Sequence, residues 1–151
     1  RGTGLDAQGM SHKQAVIERA LALHRPAMGE PFEVLRRLGG LEIAAMAGVI
    51  LAARMERIPV VIDGYVATAA AAILYALDPR TLDHCMAGHA SAEGAHRDVL
   101  ERLGKKPILD LGMRLGEGSG AAMAIGVIKA AAACHDGMAT FGEAKVDDRK
   151  D

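Results

Sequence analysis

Bulky side chains are what this sequence has least of. It has no tryptophan, and two tyrosines and two phenylalanines bring the aromatic share to 3% although half of the residues are apolar. Alanine fills the gap, so the core is expected to be thin in large side chains and to rely on close helix–helix and helix–sheet contact. Cysteine is equally scarce. Cys85 and Cys134 are isolated thiols without CxxC spacing, which argues against a disulfide framework or a zinc site and leaves two reduced, partly buried thiols. An excess of one charge sign is missing too. Lys and Arg number 18 against 19 Asp and Glu, a net charge of −1 that provides no broad basic face for nucleic acid. No uninterrupted apolar run reaches the roughly 18 residues of a membrane span, and no charged-then-apolar leader opens the chain. Together these absences predict a soluble cytoplasmic protein with no membrane or nucleic-acid partner.

What is present fits one domain: 151 residues are enough for a real core and nothing calls for a second. The chain opens in a glycine loop, Arg1-Gly2-Thr3-Gly4, with no initiating Met and no strand to carry that loop, so it is expected to begin mid-domain. Ser11 and Gln14 form a capping-box pattern that predicts a helix over 11–24, with Pro26 beyond its end. That start puts Lys13 in a first turn, where the helix dipole disfavours a cation; it is either a solvated surface lysine or one held there by an anion. A second helix starts near Pro31, turns Phe32, Leu35 and Leu38 inward and stops at Gly39-Gly40. The segment 41–55 is apolar nearly all round and reads as a buried helix. Strands are predicted over 58–62, 82–88 and 107–111, with helices over 66–77, 91–103 and 121–134 after them and a polar, frayed tail over 141–151. Strands alternating with helices describe a parallel α/β layer.

Three positions stand out chemically. Asp63 follows a buried strand, which is where open parallel sheets place ligands, and it serves equally as a cap for the helix at 66. Ser91 reads as the N-cap of the helix over 91–103, with His89 and His96 beside it as solvated or hydrogen-bonded structural histidines. Last comes Leu115-Gly116-Glu117-Gly118-Ser119-Gly120, between a strand and an alanine-rich helix. Its glycines let backbone amides approach a ligand while one carboxylate is presented beside them.

The blocks Gly2-Thr3-Gly4, 38–48, 61–70, His89-Ala-Ser-Ala-Glu93 and 115–122 resemble, in order, the nicotinate-nucleotide:dimethylbenzimidazole phosphoribosyltransferases of cobalamin synthesis. The resemblance covers essentially the whole chain and only the C-terminal part of those proteins. Their upstream part supplies much of the benzimidazole pocket and a further glycine-rich acidic loop. It implies a Rossmann-like parallel sheet flanked by helices, incomplete in this chain: a single α/β region over 1–151, with 121–151 reaching into a helical subdomain or dimer interface. It also implies a homodimer, and transfer of phosphoribosyl from nicotinate mononucleotide to 5,6-dimethylbenzimidazole with no cofactor or metal. Glu117 is then the general base. Gly2, Thr3, Gly4, Lys13, Asp63, Ser91, Arg114, Leu115 and Gly116 then line the phosphate, ribose and base sites, and Lys13 meets the 5′-phosphate. A non-catalytic fragment or subunit that keeps the fold and the dimer surface is the alternative. Generic dinucleotide binding ranks last, because no G-x-G-x-x-G follows a first strand.

Overall fold

The computed structural model describes residues 6–146. Its centre is a sheet of three parallel strands, β1 (Val60–Ile62), β2 (Cys85–His89) and β3 (Pro107–Leu109), in the order β1-β2-β3. Val60 pairs with Cys85 and Ile62 with Ala87; on the other side Ala87 pairs with Pro107 and His89 with Leu109. Parallel neighbours cannot be joined by a tight hairpin. The chain returns through α4 (Tyr65–Leu77) between β1 and β2, and through α5 (His96–Arg102) between β2 and β3. Three helices precede the sheet, α1 (Ala7–His24), α2 (Pro31–Leu38) and α3 (Leu41–Met55), and α6 (Ser119–Gly137) follows it. The expected incomplete parallel α/β layer is what forms.

The core is as thin in large side chains as the composition implies. Ala47 and Ile50 of α3 meet Ala70, Ala71 and Leu74 of α4 over Ile62 and Cys85, and Leu82, His96 and Thr68 are the largest side chains buried completely. Small residues let α3 and α4 approach closely, where dispersion depends on contact distance. Burial raises the pKa of the Cys85 thiol, with Lys105 and Arg54 opposing. Cys134 is exposed.

Several boundaries differ from the sequence reading. α1 begins at Ala7, capped by the Asp6 carboxylate that accepts from Gly9 N at 2.7 Å; Ser11 lies inside it and donates to Ala7 O. Asp6 wins because its carboxylate reaches a free first-turn amide, while a serine inside a helix can only bond back to a carbonyl. Lys13 is thus in the second turn. α3 buries only Ala47, Ile50 and Ala53, while Leu41 is 90% and Val49 66% exposed. α2 likewise buries none of its apolar residues, and Phe32 is exposed. These faces were read as inward because they are apolar, but α3 packs mainly on α4 and on the turn at 79–82, which leave its other side uncovered. Leu82, expected to open a strand, ends a 3-10 turn over 79–82 started by the Asp78 side chain accepting from Arg80 N, and the strand begins at Cys85. α6 starts two residues earlier than expected and runs to Gly137. Residues 141–146 are hydrogen-bonded turns, with Thr140 N and Oγ1 both donating to Glu143 Oε2.

Candidate active site

All three strands aim their carboxyl ends at one cleft of about 750 Å³, within the roughly 300–1,000 Å³ usual for small-molecule sites. Asp63 enters it from the end of β1, Ser91 and Glu93 from the loop after β2, and 114–118 from the loop after β3. Met46, Val49 and Ile50 of α3 form an apolar wall.

The glycine loop ends in three consecutive left-handed residues, with φ of 77° at Gly116, 59° at Glu117 and 77° at Gly118. Glycine adopts this region freely, whereas a side chain there costs about 1–2 kcal/mol. Surrounding bonds hold the turn. Ser119 N and Oγ both donate to Gly116 O, at 3.1 and 2.8 Å, and Ala122 N donates to Gly118 O at 2.9 Å to start α6. Glu117 is therefore displayed at the cleft mouth in a conformation that its own backbone does not prefer.

The start of α6 is seated on the sheet through two glycines. A Cβ on Gly120 would lie 2.6 Å from His89 Cβ and 3.0 Å from Asp63 Oδ1, and one on Gly88 would lie 3.0 Å from Ala121 Cα. Ala121 N donates to Asp63 Oδ1 at 2.8 Å. Asp63 thus caps α6 and not α4, whose N-cap is Gly64 without a side-chain bond. The carboxylate satisfies a first-turn amide from a helix 58 residues away in sequence, which no local reading of 58–66 contains. Its other oxygen, Oδ2, has no hydrogen bond to the described residues.

Ser91 is not a helix cap either: α5 begins at His96 with Ala95 as N-cap, and Ser91 Oγ accepts from Glu93 N at 3.3 Å within a turn. The cap fails because the residues after Ser91 bend and turn before any helix forms. Beneath this turn Ser91 N donates to His96 Nδ1 at 2.9 Å, His96 Nε2 lies 2.9 Å from Thr68 Oγ1, and Thr68 Oγ1 donates to Gly64 O at 2.8 Å. Burial pushes the His96 pKa down, with His89 and Arg97 acting the same way and Asp63 opposing. His89, also buried, accepts from Leu111 N through Nε2 at 3.0 Å and anchors the root of the glycine loop. Both are hydrogen-bonded structural histidines, as expected. Arg97 pairs with Asp110 and joins α5 to the end of β3.

The fold therefore gathers Asp63, Ser91, Arg114, Leu115, Gly116 and Glu117 around one cleft. It does not bring Lys13 there: that lysine is exposed on α1, which packs on α2 and on the short helical turn 25–27. Gly2, Thr3 and Gly4 lie outside the described residues. Glu93 and Tyr65 also line the cleft and were not singled out. The signal for Glu93 was its place two residues after Ser91 in a loop at a strand end. Among the described residues no cluster of three or more His, Cys, Asp or Glu is arranged to hold a metal, and no helix is long and apolar enough to cross a membrane.

Fold and cleft define a parallel α/β protein whose ligand site lies at the carboxyl ends of its strands, closed by a glycine loop at a helix start. Residues 1–146 match the DBI_PRT family, described as phosphoribosyltransferase. A nicotinate-nucleotide-dimethylbenzimidazole phosphoribosyltransferase of Methylocella silvestris is 68% identical over 146 residues, 97% of this chain and 43% of the relative. That of Rhizobium meliloti is 61% identical over 149 residues, 99% of this chain and 44% of the relative. A crystal structure of such an enzyme from Thermus thermophilus superposes with a TM-score of 0.86 at 43% identity, over 95% of this chain and 43% of that one. The chain belongs to the nicotinate-nucleotide:dimethylbenzimidazole phosphoribosyltransferase family. It spans less than half the length of the relatives that it matches.

Proposed function

We propose that this chain carries the catalytic loop and part of the nucleotide site of an enzyme that transfers phosphoribosyl from nicotinate mononucleotide to 5,6-dimethylbenzimidazole, giving α-ribazole 5′-phosphate and nicotinate. One observation carries the reading: Glu117 is held in a left-handed conformation between two left-handed glycines at the mouth of the cleft. A loop selected only for turning would place glycine there and avoid the strain. In this reading the Glu117 carboxylate takes the N–H proton of the benzimidazole while the other ring nitrogen attacks the anomeric carbon. Nicotinate leaves with the electron pair of the broken C–N bond. Its ring nitrogen is already quaternised, so little acid assistance is needed, and attack from the opposite face converts a β-linkage to an α-linkage. The free Oδ2 of Asp63 and the Ser91 hydroxyl suit ribose hydroxyls, and Arg114 suits the anionic groups. The α3 wall suits an apolar aromatic base.

Positioned proton removal contributes about 10²–10⁴-fold, so in the full-length protein Glu117→Gln is expected to lower kcat by at least ~10²-fold with both substrates still bound. Near-normal turnover with only a small loss of stability would end the catalytic assignment. A cytoplasmic homodimer accompanies the catalytic reading. The exposed apolar side chains Met123 and Val127, one turn apart on α6, with Met138 and Phe141 beyond it, supply a surface for a second copy or for the helical part of the same protein.

A further inference from the structure

We propose that His96 is a positioning residue whose buried imidazole clamps the turn after β1 to the turn after β2. It thereby sets the separation of Asp63 and Ser91 in the reaction proposed above, on which this role rests. His96 has no solvent exposure and is not part of the cleft lining, so it acts on a ligand only through its neighbours.

The bonding directions are determined by elementary inventory. The Ser91 backbone N–H can only donate, so the His96 Nδ1 that it meets at 2.9 Å must be bare. A neutral imidazole then carries its proton on Nε2 and donates to Thr68 Oγ1 at 2.9 Å. Thr68 passes its own hydroxyl proton to Gly64 O at 2.8 Å, where Thr68 N donates as well, at 2.9 Å. The result is one continuous run of bonds from the amide of Ser91 to the carbonyl of Gly64, the residue after Asp63. Tyr65 adds an edge-to-face contact on the imidazole, ring centroids 6.1 Å apart and planes at 75°. Both turns line the cleft.

Few side chains can do this job. The site needs an acceptor and a donor at opposite ends of one rigid group, so that an amide on one loop and a hydroxyl on the other are satisfied together. Leucine would orphan a buried N–H. A protonated imidazole would present a donor to a donor. Asparagine reproduces the acceptor at the Nδ1 place, and glutamine the donor at the Nε2 place. The glycine loop is held by His89 on Leu111 N, by Asp63 on Ala121 N, and by the turn after Ser91 through Ala92 N donating to Met113 O at 3.1 Å.

The test compares His96→Leu, His96→Asn and Thr68→Val in the full-length protein by steady-state kinetics. Positioning predicts that His96→Leu and Thr68→Val raise KM for nicotinate mononucleotide at least ~10-fold. kcat and KM for the benzimidazole should change less than KM for the nucleotide, because His96 reaches the loop of Glu117 only indirectly, through Ala92 N on Met113 O and Asp63 on Ala121 N. His96→Asn, which keeps the bond to Ser91 N and loses the one to Thr68, should raise KM about as far as Thr68→Val does. A fall in melting temperature with both KM values unchanged would show a purely structural histidine and overturn the proposal. Thr68→Val serves where His96→Leu does not fold. Nitrogen NMR of the imidazole gives an arm independent of turnover: a bare Nδ1 and a protonated Nε2 at neutral pH are expected, and the opposite tautomer or an imidazolium would overturn it. If the wild-type protein transfers no phosphoribosyl, the functional reading falls. The clamp is then decided by hydrogen exchange at the Ser91 amide, which Thr68→Val should accelerate at least ~10-fold and which an uncoupled loop would leave unchanged.

Discussion

Replacing Gly120 by alanine tests the seating of α6 and the delivery of Glu117 together. The added Cβ would stand 2.6 Å from His89 Cβ and 3.0 Å from Asp63 Oδ1, whereas carbons settle at about 3.5–4.0 Å. Roughly 1 Å of movement is required. His89 cannot supply it, because it lies on the central strand, paired with Leu109 and bonded to Leu111 N. The start of α6 must lift instead. A lift of that size stretches the 2.8 Å bond from Ala121 N to Asp63 beyond hydrogen-bonding range. Overpacking costs about 1–3 kcal/mol, and a hydrogen bond to a charged group contributes about 1.5–3. Alanine returns up to ~1 kcal/mol of helix propensity, leaving a destabilisation of about 2–5 kcal/mol. The glycine loop moves with the helix, and a misplacement of ~1 Å is worth about 10²-fold in rate. Equilibrium urea denaturation and kcat measure the two effects. Gly126→Ala is the control on the same helix: nothing lies within 4 Å of its Cβ, and a gain of about 0.5–1 kcal/mol is expected. A Gly120→Ala protein within ~0.5 kcal/mol of wild type and fully active would refute the close-approach reasoning.

Glu117→Gly removes a side chain held at φ 59°, so it is expected to raise stability by up to about 1 kcal/mol while abolishing turnover; a loss of stability in thermal unfolding would show that Glu117 makes stabilising contacts. Burial depresses the His96 pKa. The unfolded chain therefore binds more protons once the pH drops below the ordinary histidine value of about 6.5, and stability present above that pH is lost as it falls, by at most ~1.4 kcal/mol per pH unit. His96→Asn should flatten that part of the stability profile, and an unchanged profile would show that His96 is not responsible. If Lys13 contacts the 5′-phosphate, Lys13→Ala should raise KM for nicotinate mononucleotide about 10-fold or more and leave KM for the benzimidazole alone, whereas an unchanged KM returns it to the solvated surface of α1.

Much of the frame was legible from local pattern. The β-rich runs ending in Asp63, in the turn at Ser91 and in the glycine loop mark strands handing over to helices. Their alternation with helical segments requires a parallel sheet, because parallel strands need long crossovers. The glycine-flanked Glu117 stood out because glycines on both sides let backbone amides approach a ligand beside a single carboxylate. Burial was legible only in part. Leu41, Val49 and Phe32 are apolar and exposed, and hydropathy records that a side chain prefers cover without recording which element provides it. The identities at Ser11 and Ser91 suggested caps, yet Asp6 and Ala95 hold those positions, since several nearby residues can compete for one helix start.

What the sequence by itself determined is the class of fold, the glycine loop and the carboxylate at its centre, because each depends on residues within a few positions of one another. What only the tertiary structure decided is which distant groups meet. Asp63 caps a helix 58 residues further on, His96 joins Ser91 to Thr68 across two crossovers, and Gly120 fits where His89 leaves no room for a methyl group. The physical reason is that hydrogen bonds and van der Waals contacts act over a few ångströms of space, and nothing in the local order of residues says which parts of the chain the sheet will bring within that distance.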